Sequence, residues 1–297
     1  MESVSAFVAI VGRPNVGKSS LLNALVGKKV AIVSDKPQTT RTRIMGVLTE
    51  GETQLVFTDT PGYHRPKTKL GEKMIKAVGD GINGVDACLF VTEPEGDIRE
   101  AELELLKRLK AEKAPVVLAI NKIDTVKQKE AIMEKIVKFT NEFDFEAVVP
   151  VSALKNENVD LIIEELNKLT YESVHFFPDD TLTDQPERVL AGEIIREKML
   201  LLLDKEVPHG VAVSIEKMRE RSDGSNIMDV EATIYCERES HKGIIIGKKG
   251  DMLKKISTRA RADMENFFQC KINLQCWVKV KEGWRNREGI IHNFGLD

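Results

Sequence analysis

The chain has 297 residues, 42% of them hydrophobic and 31% charged, with a formal net charge of -3. It is long enough for two domains with separate cores and too rich in apolar residues for a disordered chain. A balance so close to neutral points to no nucleic-acid partner, so any basic surface has to be local. The first element is a short apolar run, Phe7 to Val11, as expected of a buried parallel strand. It leads into Gly12-Arg13-Pro14-Asn15-Val16-Gly17-Lys18-Ser19, a match to G-x-x-x-x-G-K-[ST]. Leu21, Leu22 and Leu25 follow at helical spacing, and the pattern stops at Gly27. Strand, loop and helix come in the order a phosphate-binding loop requires. Backbone N–H groups from Gly12 through Ser20 suit phosphate oxygens, helped by the helix N-terminus. Gly12 and Gly17 permit backbone angles that a side chain obstructs. Lys18 is expected to reach the β- and γ-phosphates as a catalytic charge, and the Ser19 hydroxyl to ligate Mg²⁺.

Residues 27–42 are polar and irregular. Two strand-like runs, 43–49 and 54–58, flank Glu50-Gly51-Glu52 and read as a hairpin. The second run ends in Asp59-Thr60-Pro61-Gly62, where Asp59 is placed to hold Mg²⁺ through water and the Gly62 N–H to sense a γ-phosphate. Residues 63–84 suggest a mobile loop and a helix responsive to that phosphate. Three further strand–helix units follow, with strands at 87–91, 115–120 and 146–151 and helices at 99–110, 131–143 and 159–169. The alternation predicts a mostly parallel sheet with helices on both faces, the α/β class of P-loop NTPases. Asn121-Lys122-Ile123-Asp124 selects the base. The Asp124 carboxylate can accept from guanine N1–H and its exocyclic amine, whereas adenine offers neither donor in that arrangement. Asn121 is expected to brace this loop against the phosphate loop, and the Lys122 stem to lie over the base. Ser152 and Ala153 are placed to offer a backbone N–H to guanine O6. Together these motifs predict a GTP site.

Residues 171–186 contain two prolines and little periodicity and read as a linker between a domain at 1–170 and a second at 187–297. In the latter, a helix over 187–204, strands over 211–215 and 228–235, a helix over 251–268 and a strand over 271–280 are predicted. Gly247-Lys248-Lys249-Gly250 precedes the last helix, and the order α-β-β-α-α-β with G-x-x-G between the last two helices is similar to a type II KH domain. Lys242, Lys248, Lys249, Lys254, Lys255, Arg259 and Arg261 stand against one acid, Asp251, over residues 242–261. RNA contacts are assigned to Lys242, Gly243, Ile246, Gly247, Lys248, Lys249, Gly250 and Lys254. Ile244–Ile246 line a groove for bases or belong to the core. The basic and aromatic tail, with Lys281, Trp284, Arg285, Arg287 and His292, extends an RNA track or packs on the sheet.

Residues 12–19, 38–42, 59–62, 121–124 and 151–153 resemble the five G motifs of translation-factor-related GTPases. Gln38-Thr39-Thr40-Arg41, the Gly62-Tyr63-His64 that follows Asp59-Thr60-Pro61, and the second half make the whole chain similar to the Era family. These are bacterial GTPases of the TrmE-Era-EngA-like group with a C-terminal type II KH domain. The resemblance implies GTP hydrolysis to GDP and phosphate with Mg²⁺, coupled to binding near the 3′ end of small-subunit ribosomal RNA and to maturation of the 30S subunit, by a monomer. It also implies that the Thr39/Thr40 pair supplies a Mg²⁺ hydroxyl and a γ-phosphate N–H; Thr40 is the favoured ligand, with Thr39 open. Tyr63 stands where many GTPases carry a water-orienting glutamine, so slow intrinsic turnover is expected and Tyr63 is given no catalytic role. Asn15 either holds an additional K⁺ or braces the loop. The rival functions are a GTP-regulated signalling or cell-cycle switch acting on a protein or membrane partner, and an RNA-binding protein with GTP as a passive ligand. Cys88, Cys236, Cys270 and Cys276 form no C-x-x-C pair, and no apolar stretch approaches a membrane span. The expected location is the cytoplasm, with peripheral contact at the inner membrane left open.

Overall fold

β1 (Val4–Gly12), α1 (Lys18–Val26), β2 (Ile44–Glu50), β3 (Thr53–Asp59), α2 (Lys69–Ile82), β4 (Ala87–Thr92), α3 (Glu100–Glu112), β5 (Val116–Ile120), α4 (Glu130–Glu142), β6 (Ala147–Pro150), α5 (Val159–Asn167) and β7 (Tyr171–Glu172) form a first unit. The computed structural model describes residues 3–36, 38–63 and 68–296; His64 therefore lies outside the described residues, as does part of the loop expected at 63–84. Two units meet in sequence between Asp184 and Gln185. The first holds a sheet in the order β2-β3-β1-β4-β5-β6, with β7 added to β1. Among the described residues, only the β2–β3 hairpin and β7 run antiparallel; the other pairs are parallel.

Every residue of β4 and β5 is buried, because helices cover both faces of a parallel sheet, and this is why those strands read as unbroken apolar runs. α1 and α5 cover one face through Leu21, Leu22, Leu25, Ile162 and Leu166. α2, α3 and α4 cover the other through Val78, Leu105, Leu109 and Phe139. The ring of Phe139 is fully buried, 5.6 Å from Phe90 and 6.3 Å from Phe145. Phe139→Ala should therefore lower stability by about 3–5 kcal/mol, read as a shifted urea midpoint with unchanged slope.

The parallel register decides where the loops emerge. Ile10 stands opposite Asp59, Gly12 opposite Val91, Thr92 opposite Ile120, and Ile120 opposite Pro150. The segments beginning at 12, 59, 121 and 151 thus leave neighbouring strands at one edge of the sheet, the carboxyl-end crevice where such folds bind ligands.

The predicted linker is placed differently from its sequence reading. β7 pairs with Val4 and Ser5, and the Phe176 ring lies 4.6 Å from Phe7. Gln54, fully buried, accepts the Phe176 and Phe177 N–H groups on Oε1 at 2.8 and 3.0 Å and donates through Nε2 to Phe177 O at 2.9 Å. Val47 N–H donates to Leu182 O at 2.9 Å, and the Thr183 hydroxyl to Met45 O at 2.6 Å. Residues 171–184 are a strap along the first unit. They lack periodicity because beyond the short β7 ladder their backbone is met by scattered partners, the Gln54 side chain and the Val47 N–H, rather than by a continuous ladder.

The second unit contains α6 (Glu187–Leu202), β8 (Ala212–Glu220), β9 (Ile227–Cys236), α7 (Glu239–Ile246), α8 (Asp251–Phe268), β10 (Lys271–Val280) and α9 (Glu288–Asn293). The sheet order is β10-β9-β8, with β9 antiparallel to β8 and parallel to β10. Val230, Ala232, Ile234 and Cys236 alternate inward from β9 and meet Ile256, Ala260 and Met264, spaced four apart on α8. The tail packs: Trp284 is fully buried with Nε1 donating to Gly210 O at 2.9 Å, and Phe294 lies 5.4 Å from it and 5.0 Å from Tyr235.

Candidate nucleotide site and nucleic-acid interface

A cavity of about 460 Å³ lies over the loop between β1 and α1, lined by Pro14, Asn15, Gly17, Lys18, Ser19, Ser20, Thr39, Thr40, Gly62 and Lys122 among others. Gly17 has φ +93, and a Cβ there would come within 2.3 Å of Asn121 Nδ2; the bare glycine lets the two loops touch. Lys18 is buried, with Nζ donating to Gly12 O at 3.1 Å and Arg13 O at 2.9 Å. Burial pushes it down to about 8, against the pull of the Asp59 carboxylate and with a further push from Arg13. An anion in the cavity would add to the countercharge that Asp59 gives this buried ammonium.

Ser19, Thr40 and Asp59 converge. Ser19 Oγ donates to Asp59 Oδ2 at 2.5 Å and lies 2.8 Å from Thr40 Oγ1, which is 3.3 Å from the same carboxylate oxygen. Asp59 is fully buried, and its Oδ1 has no hydrogen-bond partner among the described residues. Burial raises its pKa, opposed by Lys18 and by the two hydroxyls. Two hydroxyls and a carboxylate are hard oxygen donors of the kind Mg²⁺ takes, and the Oδ1 left without a partner among the described residues is an acceptor for such an ion, so the donor set fits it. Of the two threonines, Thr40 joins this cluster; the Thr39 hydroxyl instead donates to Lys36 O at 2.6 Å and lies 2.8 Å from Ser34 Oγ. Gly62 is pressed on the phosphate loop, where a Cβ would meet the Pro14 backbone at 2.6 Å. Tyr63 is buried with the α2–α3 side of the core, its hydroxyl 3.3 Å from Glu104 and its ring under Arg108. Asn15 Nδ2 donates to Asp35 O at 2.7 Å, a loop-bracing bond.

In the loop after β5, Asn121 is 2% exposed and donates through Nδ2 to Val16 O at 2.9 Å, the brace expected from the sequence. Asp124 is exposed, and the Ser152 hydroxyl donates to its Oδ1 at 2.5 Å. The backbone N–H groups of Ser152 and Ala153, expected from the sequence to face guanine O6, have acceptors within the chain. Ser152 N–H donates to Glu157 O at 3.1 Å, and Ala153 N–H to Asn121 Oδ1 at 3.0 Å. Backbone donors in a tight turn find internal acceptors first, so an O6 contact from Ala153 has to be shared with Asn121. The sequence reading missed the Ser152 hydroxyl as the group that orients Asp124, and it missed Glu93, whose carboxylate touches Arg13 and Lys122. No motif contains Glu93; its position directly after β4 was the available signal.

In the second unit, Gly247 (φ +75) and Gly250 (φ +85) turn the chain from α7 into α8 with Lys248 and Lys249 exposed between them. Lys254 is exposed on the first turns of α8, and Lys242 is half-buried on α7. Gly243 and Ile246, grouped with the loop from sequence, belong to α7. The three isoleucines divide: Ile245 is core, Ile246 half-buried, and Ile244 half exposed beside the glycine turn.

Residues 7–122 match the family described as 50S ribosome-binding GTPase, and residues 206–285 match the KH domain family. The fold and the cavity thus define a P-loop GTPase domain followed by a KH domain. The chain is 52% identical to GTPase Era of Clostridioides difficile, covering 99% of this chain and 98% of that relative, and 49% identical to GTPase Era of Ruminiclostridium cellulolyticum, with the same shares. A solved structure of a variant of Aquifex aeolicus Era bound to GDP·AlF4⁻ superposes with a TM-score of 0.95 at 38% identity, covering 100% of this chain and 99% of that one. A structure of Era with MgGDPNP and nucleotides 1506–1542 of 16S ribosomal RNA gives 0.93 at 38% identity, covering 99% of each. The chain belongs to the Era family of GTPases.

Proposed function

We propose that the chain binds GTP with Mg²⁺ in the cavity above, hydrolyses it to GDP and phosphate, and couples that cycle to single-stranded RNA at the 3′ end of small-subunit ribosomal RNA, assisting 30S maturation. The observation that carries this reading is the convergence of Lys18, Ser19, Thr40 and an Asp59 oxygen with no partner among the described residues, beside a cavity that Lys122 also lines, with Asn121 of the same loop bonded to the phosphate loop. The RNA partner is supported by the family membership and by the 16S ribosomal RNA fragment held by the related Era.

Lys18, anchored on two loop carbonyls, holds a positive charge against the β- and γ-phosphates without having to reorganise. Ser19, Thr40 and Asp59 hold Mg²⁺, which when bound neutralises charge developing between the β- and γ-oxygens. Gly62, held against Pro14, directs its backbone to the same end. Asp124, aimed by Ser152, selects guanine. Tyr63, engaged with Glu104 and Arg108, takes no part in positioning water, consistent with slow turnover. K⁺ at the Asn15 amide oxygen is part of this reading as a further charge beside the phosphates. In the KH unit, the exposed Lys248 and Lys249 and the glycine turn receive a phosphate backbone at the start of α8, with Ile244 and Ile246 beneath the bases. No helix among the described residues is long and apolar enough to cross a membrane; the cytoplasm is the proposed location, with membrane contact at most peripheral.

Single-turnover GTP hydrolysis, with and without RNA carrying the small-subunit 3′ end and in K⁺ or Na⁺, tests the proposal. Sequence-dependent acceleration by the RNA, and faster turnover in K⁺, are expected. Hydrolysis indifferent to RNA would move the coupling to a protein or membrane partner, and equal rates in the two salts would remove K⁺.

A further inference from the structure

We propose that Glu93 is a positioning residue that ties the phosphate loop to the base-reading loop, so that the two ends of the nucleotide are gripped as one unit; this rests on the reading of the cavity as a guanine-nucleotide site. Glu93 is the first residue beyond β4, which lies between β1 and β5. β1 leads into the phosphate loop and β5 into Asn121–Asp124. Since Gly12 pairs with Val91 and Ile120 with Thr92, Glu93 stands between the starts of both loops. Sheet topology brings it there, not any motif.

Its two carboxylate oxygens go to different loops. Oε2 accepts from Arg13 Nη2 at 3.3 Å, and Oε1 from Lys122 Nζ at 2.6 Å. Lys122 Nζ also donates to Asn15 O at 2.5 Å. Arg13 Nε lies 3.1 Å from the carboxylate of Glu102, which is fully buried and receives the Thr92 hydroxyl at 2.7 Å and the Arg99 N–H at 2.9 Å. The result is a closed circuit in which two residues of the phosphate loop, Arg13 and Asn15, are joined through Glu93 and Lys122, with Glu102 anchoring the far side. Burial favours the neutral form of Glu93, but the Lys122 and Arg13 charges outweigh it and hold its carboxyl below the usual range.

Glu93 does not line the cavity, whereas Lys122 does. Its influence on a ligand therefore passes through the Lys122 stem. An ammonium pinned at its tip by Glu93 and Asn15 keeps four methylenes stretched across the base position. Released from Glu93, the Lys122 side chain regains rotamers and Arg13 loses its link to the base-reading loop, leaving the bonds of Lys122 to Asn15 O and Asn121 to Val16 O. Ordinary exposed ion pairs contribute little; this one is distinguished by joining two ligand-gripping loops through a single carboxylate.

The test uses the full chain with GDP as probe, measuring dissociation constants and melting temperature for wild type, Glu93→Gln, Lys122→Met and the double variant. Glu93→Gln is expected to weaken GDP about tenfold, with the melting temperature of the nucleotide-free chain within about 2 °C of wild type. The double variant is expected to lose less than the product of the two single losses, because one residue acts through the other. Wild-type affinity in Glu93→Gln, full multiplicativity of the two losses, or a loss that comes only with a collapsed melting temperature overturns the proposal. A wild-type chain that binds ADP as tightly as GDP would instead overturn the guanine-site reading beneath it.

Discussion

Replacing Asp124 with asparagine is expected to reduce affinity for guanine nucleotides by about 10⁴-fold and to shift preference toward xanthine nucleotides. The magnitude follows from what the substitution does at a site built for two donors. A carboxylate accepts from N1–H and from the exocyclic amine together; an amide presents one oxygen and one NH₂, so one guanine donor meets another donor. Xanthine carries an oxygen where guanine carries the amine, and the new NH₂ can donate to it. The structure adds a second loss, because the Ser152 hydroxyl that fixes Asp124 at 2.5 Å would be paired with a neutral, weaker acceptor. Competition of GDP and xanthosine diphosphate for the purified variant measures this directly. Undiminished guanine selectivity would remove Asp124 from the base-reading role.

The second large effect is expected at Gly247. The residue has φ +75, and a Cβ there would stand 2.7 Å from Met252 Cβ and 2.8 Å from Met252 N at the start of α8. Gly247→Asp therefore forces the α7–α8 turn to shift, and it also places a carboxylate at the end of a helix where a phosphate is to be received. A fall in RNA affinity on the order of 100-fold is expected, with GTP binding unchanged, since the nucleotide cavity is lined entirely by residues of the first unit. Titration of the variant with small-subunit 3′-end RNA and separately with GDP gives both numbers. RNA affinity equal to wild type would free the glycine turn from the RNA path.

Much of the candidate site was legible because phosphate and guanine recognition rest on backbone and short side chains at fixed spacing. Gly12–Ser19, Asp59–Gly62 and Asn121–Asp124 could be read one motif at a time, and buried parallel strands announce themselves as apolar runs. The strap at 171–184 could not be read in that way: its partners, Gln54, Val47 and Met45, are more than a hundred residues away, and its own residues carry no period. Likewise nothing local distinguishes an Ala153 N–H free for a base from one already bonded to Asn121. Thr39 and Thr40 are chemically alike and adjacent, and only their tertiary partners, Lys36 O for Thr39 and Asp59 for Thr40, separate them. The tail from Lys281 onward had the composition of an RNA contact, yet Trp284 is buried and Phe294 packs its ring on Trp284 and Tyr235, because an apolar surface was available there to cover.

By itself the sequence determined the groups on offer: a G-x-x-x-x-G-K-S loop, an acid ending the third strand, the Asn121–Asp124 run, a glycine turn among lysines, and the order of strands and helices that presents them. These follow from local spacing, because each depends on a few consecutive residues and the periods of helix and strand. Which of those groups meet was decided by tertiary structure. Parallel pairing in register carries Gly12, Asp59, Glu93 and Asn121 to one edge of the sheet. Only that alignment could give Glu93, silent in every motif, a hold on both loops at once.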